Sequence, residues 1–200
     1  MKKIGFFLFK YRSYTPLPFV FIMIILMKPT ALSLIIGAAV VISGELIRTW
    51  AVSYAGSETR TTDGVGGSNL VTQGPFSYIR NPLYLGNIMI YTGIGLMSNT
   101  FFPYLQIAGL IYFFFQYYCI IFNEEDFLRG KFGKNFELYC SSVNRFFPKF
   151  RSLPAEIRSD LIFDIKEGLR SEKRSLQAII IISSIILIYF FFVTNQHQNK

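Results

Sequence analysis

With 200 residues the chain has room for one domain, and 52% hydrophobic content with a mean hydropathy of +0.38 takes it out of the soluble range and into the membrane. The formal charge of +8 sits in blocks beside apolar runs, which points to cytoplasmic orientation and anionic lipid headgroups and away from nucleic acid. His197, the only histidine, is in a polar tail, and Cys119 and Cys140 show neither disulfide spacing nor metal clustering. Chemistry that needs a histidine base, a histidine-ligated metal or a Ser-His-Asp triad is therefore disfavoured, and no metal is expected.

Lys10 and Arg12 precede the first apolar segment, Pro16 to Met27, which is only about half a membrane thickness of helix. It spans if tilted or flanked by Tyr11 and Tyr14. No small-residue cleavage site follows, so it reads as half of a tight helical hairpin turned at Lys28, Pro29 and Thr30. The second run, Ala31 to Val52, carries Glu45 and Arg48 three residues apart on one face, where they pair and either line a polar cavity or anchor the helix at the membrane edge. Ser57 to Ser68 is rich in Gly, Ser and Thr and predicts a mobile loop, with a lid and a plain linker as its two readings.

The segment GPFSYIRNPLYLG, Gly74 to Gly86, leads into the third run, Pro82 to Met97. Gly74 and Pro75 make a turn, Pro82 suits a first helical turn, and Arg80 lies just outside, placed to grip a carboxylate or phosphate or to anchor to headgroups. Gly86, Gly93 and Gly95 leave gaps that serve helix packing or admit a flat cofactor. The fourth run, Phe101 to Phe122, ends at Glu124 and Glu125. A carboxylate pair there costs free energy unless it meets water, hydrogen-bond donors or a cation, and S-adenosylmethionine, with its sulfonium and ammonium, is such a cation. The alternative is that the acids end the helix beside Arg129 and Lys131.

After Tyr139 and Arg145, the stretch Pro154 to Arg174 places Ile157, Leu161, Ile165 and Leu169 at four-residue spacing and predicts an amphipathic helix in the headgroup plane. Leu176 to Val193 is the last run. The chain thus reads as an all-α integral membrane protein of about five transmembrane helices with cytoplasmic amphipathic helices. Its parts are a hairpin over residues 1–56, a core over 57–150, and an amphipathic helix with the last span over 151–200. Five crossings with the amino terminus inside put every basic residue except Lys28 and Lys200 on the cytoplasmic face, in a bacterial inner membrane or an endoplasmic reticulum.

Arg80, Asn81, Pro82, Tyr84 and Gly86, followed by Glu124, Glu125, Phe132, Gly133, Tyr139, Val143, Arg145 and Pro148, form a pattern that resembles the isoprenylcysteine carboxyl methyltransferases and the related phospholipid (phosphatidylethanolamine) N-methyltransferases. The resemblance covers about Gly74 to Pro148. It implies S-adenosylmethionine held by Tyr84 and Glu125, with Asn81, Gly86 and Glu124 beside them. It places Arg145, Tyr139 and Arg80 near the reacting group, and it implies a membrane lipid or lipidated acceptor. Asn81 stands where the carboxyl methyltransferases commonly have His and the phospholipid enzymes Asn, which weakens a prenylcysteine substrate. The stretch KFGKNFELYCSSV also resembles the carboxyl-terminal signature of NADPH-dependent sterol and steroid reductases. A reductase and a non-catalytic lipid-binding protein are the rival expectations.

Overall fold

The computed structural model describes residues 2–56, 69–150 and 152–198, and the protein is helical almost throughout, with one isolated bridge and no strand among those residues. The helices are α1 (Lys2–Tyr11), α2 (Leu17–Leu26), α3 (Ala31–Ala55), α4 (Pro82–Ser98), α5 (Tyr104–Phe132), α6 (Lys134–Ser142) and α7 (Ile165–Gln198). By length and composition α3, α5 and α7 are able to cross a membrane. With 17 residues in α4 and 10 in α2, these two helices are shorter.

Local chemistry sets the boundaries. Thr30 and Ser33 form a reciprocal cap at the start of α3: Thr30 Oγ1 accepts from Ser33 N at 3.1 Å and Ser33 Oγ accepts from Thr30 N at 2.9 Å. Pro82 opens α4, where its missing donor costs nothing. Gly133, at φ +51, closes α5 and redirects the chain into α6; a side chain in that left-handed geometry would be strained.

The helices pack in the order α1, α5, α4, α3, α7, with α2 resting on α4. The tightest seam is α3 against α4. There a Cβ on Gly37 would lie 2.6 Å from the Gly93 carbonyl, and one on Gly44 would lie 2.8 Å from the Gly86 carbonyl, so paired small residues let the two backbones touch. Met23, Met27, Leu34, Val41, Ile90, Ile94, Met97 and Ile186 fill one core between α2, α3, α4 and α7. Phe9, Ile88, Phe113, Tyr117, Ile120 and Ile121 fill another between α1, α4 and α5.

Four sequence expectations change. Residues 2–11, read only as a basic lead-in, are a helix packed on α5. The second run extends past Val52, with α3 ending at Ala55, and Glu124 and Glu125 lie inside α5, which continues two further turns on good helix formers. The in-plane amphipathic helix over Pro154 to Arg174 does not form. Ile157 instead joins a buried cluster with Phe136, Tyr139, Val143 and Leu153, and its carbonyl accepts from Thr72 Oγ1 at 2.7 Å. Asp164 N donates to Ser53 O at 2.9 Å, and Asp164 Oδ1 caps Lys166 and Glu167, so helix begins only at Ile165 and runs unbroken into the last apolar run. The predicted loop Ser57 to Ser68 lies outside the described residues.

Candidate functional site

The two polar segments are laced to each other by backbone. Ile79 and Asn144 form a parallel bridge, Arg80 N donates to Asn144 O at 2.8 Å, and Lys149 N donates to Tyr78 O at 3.0 Å. Side chains add to this: Asn81 Nδ2 donates to Arg145 O at 3.3 Å, and the Tyr139 hydroxyl donates to Phe76 O at 2.7 Å. Residues some sixty positions apart are thereby fixed over the ends of α4 and α5.

Glu125 is the hub of this region. Arg145 grips it in bidentate fashion, Nε to Oε1 at 3.0 Å and Nη2 to Oε2 at 2.6 Å, and Arg80 Nη1 lies 3.2 Å from Oε1. Two guanidiniums on one buried carboxylate leave that carboxylate well neutralised. The hydrogen bonds that Arg145 donates to Glu125 raise its pKa, partly opposed by burial. Burial likewise raises the Tyr139 phenol, and it raises the Cys140 thiol against the opposing effect of Arg80, so both stay protonated at neutral pH. Arg80 also donates to Cys140 Sγ.

At the adjacent Glu124 the chemistry differs. The Tyr84 hydroxyl donates to Glu124 Oε1 at 2.5 Å, and the Tyr84 ring stacks on Tyr117 with centroids 4.6 Å apart and planes at 23°. A second buried cluster lies across α4. Arg48 makes two 2.8 Å hydrogen bonds to Glu172, donates to Asn87 Oδ1, and has Glu45 at 3.9 Å.

Between the clusters is a cavity of about 700 Å³. Arg80, Asn81, Tyr84, Glu124, Glu125 and Tyr139 line it, together with Arg12, Arg48, Asn87, Tyr117 and Arg174. Its size falls within the range of roughly 300–1,000 Å³ usual for small-molecule sites. Of the residues expected at the site, Arg145 reaches it only through Glu125, and Gly86 faces α3, where a Cβ would come within 2.4 Å of Arg48 Cγ. The Arg48 and Glu45 pair is found as expected, but Glu172 was not foreseeable as its third member. Arg12, Tyr117 and Arg174 were also missed, since nothing in their local sequence separates them from a basic lead-in, an aromatic run and a solvated helix face.

Comparison with known proteins bears on this geometry. The chain is 30% identical over 102 residues to the cobalt-zinc-cadmium resistance protein CzcN of Cupriavidus metallidurans, covering 51% of this chain and 43% of that protein. It is 29% identical over 109 residues to the nickel-cobalt-cadmium resistance protein NccN of Alcaligenes xylosoxydans xylosoxydans, covering 52% and 46%. The chain therefore spans less than half the length of these curated relatives, and no solved structure matches it. Residues 32–135, from α3 through the Glu124 and Glu125 turn and just past α5, match the family model for phospholipid methyltransferases, and the chain belongs to that family.

Proposed function

We propose that the protein is an integral membrane methyltransferase that transfers a methyl group from S-adenosylmethionine to an oxygen or nitrogen of a lipid or lipidated acceptor at the cytoplasmic face. The observation that carries this reading is the Tyr84 to Glu124 hydrogen bond inside a cavity whose walls come from both polar segments. When bound, S-adenosylmethionine supplies an electrophilic methyl group on a positively charged sulfur. Glu124 is the carboxylate that suits that charge, because both oxygens of Glu125 are engaged by Arg80 and Arg145. Tyr84 fixes the Glu124 carboxylate and, through Tyr117, presents a flat aromatic wall.

The remaining residues position and neutralise. Tyr139 and Asn81 hold the segment before α4 over the cavity, and Arg145 acts through Glu125. An ionised carboxylate acceptor needs no base and would meet Arg80 on the cavity wall. An amine acceptor must lose a proton, and Glu124, a cavity carboxylate that accepts from the Tyr84 hydroxyl, is placed to receive it.

The test is calorimetric titration of S-adenosylmethionine into the purified protein in micelles, with NADPH in parallel. Binding of S-adenosylmethionine that falls about tenfold, roughly 1.4 kcal/mol, in Glu124→Gln with an unchanged melting temperature supports the reading. Binding of NADPH in its place, or affinity indifferent to Glu124, overturns it.

A further inference from the structure

Among the described residues four arginines line the cavity, and three of them are matched by acids. Arg48 has Glu172 and Glu45, Arg80 has Glu125, and Arg12 acts electrostatically on Glu124. Arg174 is exposed at the cavity wall and has no carboxylate or hydrogen-bond partner among the described residues. It is carried by α7, beyond the stretch matched by the family model. That helix is held firmly: Gly168 lies against Ser53, Glu172 is buried on Arg48, and Ile179, Ile182 and Ile186 continue the same stripe into the core.

A second line of residues on α7 starts at Arg174. At alternating four- and three-residue steps it runs through Ala178, Ile181, Ile185, Ile188 and Phe192, all apolar and all exposed. At about 1.5 Å per residue the line extends roughly 27 Å, close to the ~30 Å hydrocarbon core of a bilayer. A guanidinium on a cavity wall with no acid against it among the described residues, continued by an apolar track of that length, has the charge pattern that complements an anionic amphiphile. Arginine presents a planar fork suited to the oxygens of a phosphate.

Resting on the methyltransferase reading, we infer that Arg174 is the specificity-determining anchor for the phosphate of a phosphate-bearing lipid acceptor, whose chains lie along the exposed track of α7 while its headgroup reaches toward Glu124. The apolar track favours a lipid over free phosphate as the source of that group.

The test uses the full chain in micelles and three probes: dihexanoyl-phosphatidylethanolamine, dihexanoylglycerol, which lacks the phosphate, and inorganic phosphate. Wild type is expected to bind the phospholipid, with Arg174→Gln weakening it about tenfold, the loss of one charge-assisted contact, and Arg174→Lys restoring most of it. The melting temperature should not move in either variant. Equal binding of the glycerol lipid, indifference to Arg174→Gln, or no binding of the phospholipid overturns the inference. Competition by inorganic phosphate at the same concentration shows a site for the free ion and overturns the lipid assignment. Failure of the wild type to bind S-adenosylmethionine, scored on the same samples, sinks the methyltransferase reading separately from the phosphate result.

Discussion

The two arginine and glutamate clusters that flank the cavity are built with opposite balance. On the α5 and α6 side one carboxylate, Glu125, holds two guanidiniums, whereas on the α3 and α7 side one guanidinium, Arg48, holds the carboxylates of Glu172 and Glu45. The first is partly wet, since Arg145 is 32% exposed; the second is drier, with Glu172 fully buried and Arg48 at 12%. Exposure decides what each can do. A dry pair is a fastener whose loss strands a charge, while a cluster open to water tolerates exchange of partners and sits where ligands arrive.

The largest effect is therefore expected at Glu172. Glu172→Leu leaves the buried Arg48 with Asn87 as a neutral partner and Glu45, at 3.9 Å, as its carboxylate, and a loss of about 3–5 kcal/mol in unfolding free energy should follow, read as a lowered denaturation midpoint in micelles. Adding Arg48→Met to that variant removes the stranded charge and should recover most of the loss. If the double variant is no better than Glu172→Leu, the cluster is more than a fastener and the contrast with Glu125 fails.

A smaller loss is expected at Glu125. In Glu125→Gln two guanidiniums lose their carboxylate, but water reaches Arg145, so the cost should fall to about 2–3 kcal/mol. Because Arg80, Asn81 and Arg145 are laced to one another, cofactor affinity should fall in the same variant. Glu124→Gln should lower affinity alone, and equal behaviour of the two acids would erase the distinction drawn between them.

How much of this was legible in the sequence follows from the reach of local rules. The segments around Arg80 and Glu124 stood out because charged residues abutting apolar runs are costly and demand partners, while the glycines of α4 left packing and a flat cofactor open, and Gly86 and Gly93 take the packing role against α3. The pairing of Glu125 with Arg80 and Arg145 was not specified by either segment alone. Nor was Glu172, which lies 124 residues from Arg48 on a stretch whose four-residue apolar spacing fits a surface helix equally well. That spacing misled at Ile157 and Leu161, because Thr72 and Ser53, distant in sequence, hold this stretch out of an α-helix, with Ile157 ending a short 3-10 turn. A period describes which face a helix would bury and cannot tell whether other segments will claim the backbone first.

The smallest effect sharpens the division between packing and binding on α4. Gly86 belongs to the signature that also supplies Tyr84, yet its missing side chain makes room for the Gly44 carbonyl and the Arg48 stem, at 2.7 Å and 2.4 Å from a Cβ built there. Gly86→Ala should push α3 from α4 and cost about 1–3 kcal/mol of stability, as overpacked seams do. Since Tyr84 and Glu124 lie on the other side of α4, toward α5, the folded fraction should bind S-adenosylmethionine with unchanged affinity. A tenfold loss of affinity at unchanged melting temperature would instead put Gly86 against the ligand and move the cavity floor toward α3.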